Sequence, residues 1–365
     1  MRAVTKSIPE LPDRAWLDVD LAAIVRNARR FEGLAGAPLL PMVKADGYGL
    51  GAVAVARALE AVEPWGYGVA TVAEGVELRA AGITRPVVVF TPLVPDPAAV
   101  SATCAARLRP VIGDLAALDA WIAAGGGPFH VEIDTGMSRA GFRWHDARGI
   151  AALRDRLDAA AGWEGIFTHF HSADSDEPST REQVARFEGV LALLGSRPAL
   201  IHVANSAAAQ LTGLFRGDLA RPGIFLYGGK AGALVPERVA RLRAKVVATR
   251  RLRRGDSVSY GAEAQVLRET TIATIGIGYG DGVPRALGNR GLVELNGVIV
   301  SIIGRVTMDM LMVHVPDLPV EVGEVATLFG GLVALDDQAA LAGTVSYELL
   351  TRLTPRVARH YERPA

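Results

Sequence analysis

The constraint that most narrows the fold is a rhythm: from residue 14 to about residue 235, short apolar runs end in turns and are followed by stretches of helical periodicity. AWLDVD reads as a short strand and LAAIVRNARRFEGLAG as a helix with a glycine stop. Next come the strand that ends at Lys44, the helix GAVAVARALEAV, the strand WGYGVA, the helix TVAEGVELRAAG and the strand PVVVF. RPVIG with the helix DLAALDAWIAAG, then FHVEIDTG and GWEGIFTHFHSAD, continue the alternation. REQVARFEGVLALLG places Val184, Phe187, Leu191 and Leu194 on one helical face, and ALIHVANSAAAQ and LARPGIFLYGG supply two further strand ends. Roughly eight such units predict an α/β fold with an N-terminal (β/α)8 barrel over residues 14–235. An open doubly wound sheet is the alternative, because periodicity does not decide closure.

Near residue 236 the pattern changes. LRAKVVATRRL, DSVSYG, TTIATIGIGYGDG, GLVELNGVIVSIIGRVTMDMLMVHV and GEVATLFG are short, β-rich and punctuated by glycine. They predict a mainly-β C-terminal domain over residues 236–365, with residues 1–13 as an N-terminal extension packing on it.

Composition excludes several classes of function. Hydrophobic residues at 50% and charged residues at 21% describe a folded chain, and Lys+Arg and Asp+Glu balance at 39 each, which argues against a polyanion-binding surface. The arginines of RLRAKVVATRRLRRGD carry no interleaved aromatics and read as a solvated face, so no nucleic-acid partner is expected. A single cysteine, Cys104, excludes an internal disulfide framework and a thiolate metal cluster. His169 and His171 are only two apart and the other histidines are scattered, so no metal is expected. No stretch approaches a membrane span, and the expected location is the cytoplasm.

Polar residues collect where the barrel strands end, the face on which such barrels build their sites. Lys44 follows the apolar Pro41-Met42-Val43 and precedes Ala45-Asp46-Gly47-Tyr48-Gly49, a glycine-rich turn. A lysine desolvated there loses its proton readily and becomes the nucleophile that an aldehyde-bearing cofactor such as pyridoxal phosphate requires; alone, its favoured reading is the plainer one, a lysine snorkelling to solvent or paired with a carboxylate. Arg139, His169, Asn205, Ser206 and Arg221 lie at other strand ends. Each has a plainer reading: Arg139 as a surface arginine, His169 as a satisfied core histidine, Ser206 as a helix cap. Arg221-Pro222-Gly223 sets a guanidinium beside a turn whose amides, at Gly223 and Ile224, can cradle a phosphate with Ser206. The chain lacks a dinucleotide fingerprint opening a βα unit and a Walker sequence, which argues against NAD and ATP.

Lys44 with Tyr48, Arg139, Ser206 and Arg221, together with the later SYG and TMDM, resembles the alanine racemase family of pyridoxal-phosphate fold type III over nearly the full length. VKADGYGLG is similar to the family's lysine signature, with Leu50 where many members have histidine. The resemblance implies that Lys44 binds pyridoxal 5'-phosphate covalently and is one of two bases, the other being Tyr260 of VSYGAE reaching in from a partner subunit on the opposite face. It implies a homodimer with composite sites that interconverts L- and D-alanine by α-proton transfer and supplies D-alanine for peptidoglycan. His169 would relay to the Tyr260 phenol, a poor base at its reference pKa of about 10. Arg221 would donate to the pyridine nitrogen, leaving the ring largely unprotonated and suppressing transamination. Arg139 and the Met308 amide would meet the substrate carboxylate, with Tyr279 and Asp309 at the substrate entrance. Tyr48, Asn205, Ser206, Gly223, Ile224 and Tyr347 fall in the cofactor-binding set.

Two positions depart from the family pattern. Some members carry a carbamylated lysine that orients the arginine matching Arg139; here the position is Glu132, which supplies negative oxygens directly and is expected to pair with Arg139. Thr307 stands where many members have cysteine. The same barrel resemblance leaves three other readings open: an amino-acid decarboxylase, a racemase of broader specificity acting on serine or basic amino acids, and a cofactor-binding protein without catalysis. Tyr260, Met308 and Tyr279 have no role in mere cofactor carriage.

Overall fold

The computed structural model describes residues 13–211 and 217–362, and these divide into two compact units: residues 20–239, and residues 13–19 with 240–362. The expected N-terminal extension, apart from Asp13, lies outside the described residues.

The unit of residues 20–239 is a closed ring of parallel strands. Tyr67–Val69, Val87–Val89, Arg109–Ile112, Phe129–Asp134, Trp163–Phe167 and Leu200–His202 pair in that order. The segment 39–43 closes it, for Met42 bridges Gly68 on one side while Leu39 bridges Ala220 on the other, and Asn205 bridges Arg221. Closure excludes the open-sheet alternative. The strands are buried on both faces, as VVV at residues 87–89 shows. Leu40, Val88, Val111, Phe167 and Leu219 form a hydrophobic cluster flanked by Trp65, Phe90 and Leu200.

Local chemistry fixes where the outer helices begin. Asp20, Asp96, Asp114, Asp146 and Asp176 each accept a backbone N–H of the first turn that has no intrahelical acceptor, and Thr71 with Glu74 forms a capping box. These six helices therefore begin at defined residues, which leaves the strand ends before them free to carry chemistry.

One expected boundary is corrected. AWLDVD, assigned to the barrel from residue 14, is the strand Ala15–Asp20, and it pairs antiparallel with Ala240–Leu252 from Ala15 opposite Ala244 to Val19 opposite Ala240. Ala15, Leu17 and Val19 are buried while Trp16, Asp18 and Asp20 are half-buried, the period-two alternation of a strand with one core face. A strand inside a parallel barrel has no such polar face. The barrel unit thus starts at Asp20, and its boundary with the β unit falls between residues 239 and 240 rather than 235 and 236.

The β unit is built on the 13-residue strand Ala240–Leu252. One eight-stranded sheet runs in the order Val298–Ser301, Leu292–Leu295, Val325–Phe329, Ala240–Leu252, Ala15–Asp20 and Ala358–Glu362, with Thr270–Ile275 pairing both Ala240–Leu252 and Leu311–His314. No helix among the described residues is long and apolar enough to cross a membrane.

Asp96 accepts from both Ala98 and Ala99 at 3.0 Å, so Asp96→Ala should lower stability by about 1 kcal/mol, read from the midpoint of urea unfolding. An unchanged midpoint would mean the cap contributes nothing.

Candidate active site

Lys44 ends the segment that closes the barrel, and the backbone after it is unusual. Ala45, Asp46, Gly47 and Tyr48 have φ of 52°, 53°, 59° and 55°, a turn of left-handed helix. Each L-residue there costs roughly 1–2 kcal/mol, so the turn must be held from outside. Glu74 does most of this: its carboxylate accepts from Ala45 N at 2.7 Å, from Ala70 N at 2.6 Å and from Thr71 N at 3.1 Å, tying together the loops after the first two barrel strands. Asp46 accepts from Ala52 N at 2.8 Å. The Lys44 amine is held below the usual lysine range by burial and by the nearby Arg139 charge, against the opposing pull of Glu74. It therefore surrenders its proton more readily than a surface lysine.

Arg221 is 3% exposed. Its Nη1 donates to His202 Nδ1 at 2.9 Å and to the His202 carbonyl; its Nη2 donates to the carbonyls of Thr168 at 2.9 Å and Val203 at 3.3 Å and meets His169 Nδ1 at 3.3 Å. Nε–H finds no acceptor among the described residues. The guanidinium also stands 5.2 Å from the centre of the Phe167 ring. Burial lowers its pKa to about 9, with Glu132 opposing and Arg139 adding to the shift, so it remains a cation at neutral pH. An arginine only donates, hence His169 accepts on Nδ1 and carries its proton on Nε2. Removal from water, then Arg221, Arg139 and Lys44, push the His169 pKa down to about 3. His169 is a neutral hydrogen-bond donor, not a proton store.

Tyr48, Ser206, Gly223 and Ile224 come together as expected. Ser206 Oγ accepts from Gly223 N at 2.8 Å, and the short turn Ile224–Tyr227 opens there with its first N–H groups lacking intrahelical acceptors. A Cβ on Gly223 would lie 2.4 Å from the Tyr48 hydroxyl, so only glycine lets that hydroxyl approach the turn. The Tyr48 ring stacks on Tyr227 at 4.4 Å, and Tyr227 donates to the Met42 carbonyl at 2.8 Å. Asn205 acts one step back: its Oδ1 accepts from Ala207 and Ala208, shaping the loop that presents Ser206.

The expected ion pair between Glu132 and Arg139 is not formed. Glu132 is buried on the strand Phe129–Asp134, where desolvation raises its carboxyl pKa against the Arg139 and Arg221 charges. Arg139 occupies an exposed position in the loop beyond, and its guanidinium keeps its water. The two interact through space without contact.

In the β unit, Tyr260 is 71% exposed. It follows Ser259, whose φ of 68° and ψ of −178° suit glycine alone; the Ser259 hydroxyl donates to the Arg305 carbonyl at 2.9 Å, and Arg305 is ion-paired to Glu263. Tyr279 N donates to Thr307 O at 2.9 Å and Gly280 N to Met308 O at 2.8 Å, which sets Tyr279 beside the exposed Met308. Asp309 pairs with Arg356 at 2.7 Å, and the fully buried Asp281 binds Arg14 at 2.7 Å and Arg356 at 3.2 Å. Tyr347 is exposed on the helix Ser346–Thr351. Glu74, His202 and Asp281 were not singled out from the sequence. Of these only Glu74 has a local signal, the Thr-x-x-Glu spacing of a capping box in TVAEG.

A deprotonable lysine at the mouth of a closed barrel, a buried guanidinium with one donor unused, and a short helical turn opening beside two hydroxyls fit the aldehyde, ring nitrogen and phosphate of pyridoxal phosphate. Together with a separate β unit they define the barrel-type, fold type III class of pyridoxal-phosphate enzymes. The family model described as "Alanine racemase, N-terminal domain" matches residues 19–231, and "Alanine racemase, C-terminal domain" matches residues 239–361. The chain belongs to the alanine racemase family. It is 38% identical over 370 residues to alanine racemase of Symbiobacterium thermophilum, spanning 95% of this chain and 96% of that one. It is 38% identical over 364 residues to a catabolic alanine racemase of Rhizobium johnstonii, spanning 95% and 94%. Among solved structures, alanine racemase from D-cycloserine-producing Streptomyces lavendulae superposes with a TM-score of 0.89 at 31% identity, covering 98% of this chain and 99% of that one. The Bartonella henselae alanine racemase with covalently bound pyridoxal phosphate superposes with a TM-score of 0.89 at 29% identity, covering 96% and 100%.

His169, with a native pKa near 3 against an ordinary value of 6.5, binds a proton in the unfolded chain first as pH falls. Its stabilising contribution is complete above pH 6.5 and declines below it, with a slope of about 1.4 kcal/mol per pH unit. His169→Asn should flatten the fall in unfolding free energy between pH 6 and pH 4 by about that slope. An unaltered slope would mean His169 titrates normally.

Proposed function

We propose that the protein interconverts L- and D-alanine with pyridoxal phosphate held at Lys44, and that each site is completed by Tyr260 of a second subunit. The observation that carries the reading is the buried Arg221, a cationic donor where a carboxylate would instead protonate the ring. When bound, pyridoxal phosphate holds the substrate amine covalently and draws electron density from the α-carbon. Because the Arg221 proton stays on the guanidinium, that withdrawal is kept moderate, which favours simple proton exchange at the α-carbon over transamination.

Lys44 Nζ then takes or returns the α-proton on one face, its lowered pKa making the neutral amine available. The Tyr260 oxygen does the same on the other face, and opposed bases produce inversion. His169 assists by donating Nε2–H to the phenolate, the role its neutral state and Nδ1 contact leave open to it. Glu132 acts through its field on Arg139 and Arg221. Arg139, with no protein partner among the described residues, is available to the substrate carboxylate together with the Met308 amide.

The exposure of Tyr260, Tyr279 and Met308 supports a two-fold dimer in which these groups line the partner's site. The relatives include a biosynthetic enzyme from Pseudomonas aeruginosa and the catabolic one from Rhizobium johnstonii; supply of D-alanine for peptidoglycan is the biosynthetic direction.

Lys44→Ala and Tyr260→Phe should each abolish nearly all conversion of L- to D-alanine, followed by chiral chromatography. Mixed under conditions that exchange subunits, the two inactive variants should recover up to about a quarter of wild-type activity, because half the dimers are hybrids with one intact composite site in two. No recovery from verified hybrids would show that both bases come from one chain.

A further inference from the structure

We propose that Glu164, at the end of the barrel opposite the site, is a positioning residue that orients Arg221 through a chain of two buried histidines. Arg221 Nη1 lies 2.9 Å from His202 Nδ1, His202 Nε2 lies 2.7 Å from His130 Nδ1, and His130 Nε2 lies 3.2 Å from Glu164 Oε2. Arg109 grips the same carboxylate, Nε at 2.6 Å and Nη2 at 3.2 Å. Arg109 is the first residue of its strand and Glu164 the second of its own, so both sit at the N-terminal rim; Arg221 is at the C-terminal mouth. The chain thus threads an interior that barrels ordinarily fill with branched apolar side chains.

The direction of every proton in it follows from its ends. Arg221 cannot accept, so His202 must offer a bare Nδ1 and carry its proton on Nε2. That proton is donated to His130 Nδ1, which must therefore be bare. The His130 proton is then on Nε2, pointing at Glu164. A carboxylate accepts only, and it selects this arrangement from the far end; reversing one ring would set N–H against N–H at one buried contact and lone pair against lone pair at the other. Both rings are fully buried and held neutral by desolvation, while hydrogen bonds from His130 and Arg109 keep Glu164 ionised against its own partial burial. The packing accommodates the chain. A Cβ on Gly165 would lie 2.3 Å from His130 Nδ1, so glycine at that position makes room for the ring, and His202 stacks on Phe167 at 4.8 Å and 11°. Glu164 touches neither substrate nor cofactor; it acts by keeping a lone pair facing Arg221.

The consequence for catalysis rests on the reading of Arg221 as the group that faces the cofactor ring. The test does not. Full-length protein labelled with 15N-histidine, with and without pyridoxal phosphate, should show His130 and His202 as neutral Nε2–H tautomers from pH 6 to pH 9 in long-range 15N–1H spectra. In Glu164→Leu the rings are held from the Arg221 end alone and the His130 Nε2–H loses its acceptor, so mixed tautomers should appear at His130, the absorbance of the bound cofactor should shift, and kcat should fall about tenfold with KM for alanine changed by less than about twofold. Glu164→Asp should restore the tautomers at least in part. A wild-type Nδ1–H tautomer at either ring overturns the proposal even if the leucine variant fails to fold, and so does a folded leucine variant with unchanged tautomers and kcat. Fixed tautomers in a protein that does not racemise alanine would leave the chain standing and sink the proposed activity; racemisation with mixed tautomers would do the reverse.

Discussion

The structure turns on one buried cation. Taking a guanidinium out of water costs several kcal/mol unless its donors are met, and Arg221 is met almost wholly by neutral acceptors: the carbonyls of Thr168, His202 and Val203 and a ring nitrogen from each of two histidines. Those acceptors come from the ends of neighbouring strands, so the closed register of the barrel is what makes the burial tolerable. In return the cation dictates its surroundings. It sets the tautomers of His169 and His202, depresses the His169 pKa along with burial, and opposes the rise in the Glu132 pKa that desolvation causes. Lys44, which follows the segment 39–43, is separately pushed toward the neutral amine that its chemistry needs, chiefly by burial and then by Arg139.

The other costly element is the left-handed turn at residues 45–48. Its strain is local, but its support is not: Glu74 belongs to the next βα unit and binds amides from both loops. A single carboxylate that caps a helix also fixes the direction in which Lys44 leaves its strand. Ser259 repeats the device in the β unit, where a conformation suited to glycine precedes Tyr260 and is held by a hydroxyl bond to Arg305. Both residues assigned as bases thus adjoin backbone that the surrounding structure has to impose, as strain at functional sites requires.

Much of this was legible in the sequence because turns leave local marks. Glycine and proline around Lys44 and Arg221 announced the strand ends, and the residues grouped there, Tyr48, Ser206, Gly223 and Ile224, do meet. The strand at residues 15–20 was misassigned because a strand followed directly by a capped helix looks like a βα unit; its polar-apolar alternation was the signal that it belonged to a one-faced antiparallel sheet. Glu132 and Arg139, close in sequence, do not pair, since one faces the barrel interior while the other stays with water. His130, Glu164 and His202 left no mark at all: they are 72 residues apart at the extremes, and only the parallel register of their strands lines them up.

The most direct measurement is incubation of the holoprotein with L-alanine in deuterium oxide, reading chirality and α-deuterium content of the same molecules, with pyruvate measured alongside. D-alanine carrying one α-deuterium, with pyruvate negligible, is the result predicted for two opposed bases beside a cationic Arg221. Alanine that remains L and protonated while cofactor is bound, or pyruvate formed in amounts comparable to D-alanine, would contradict it.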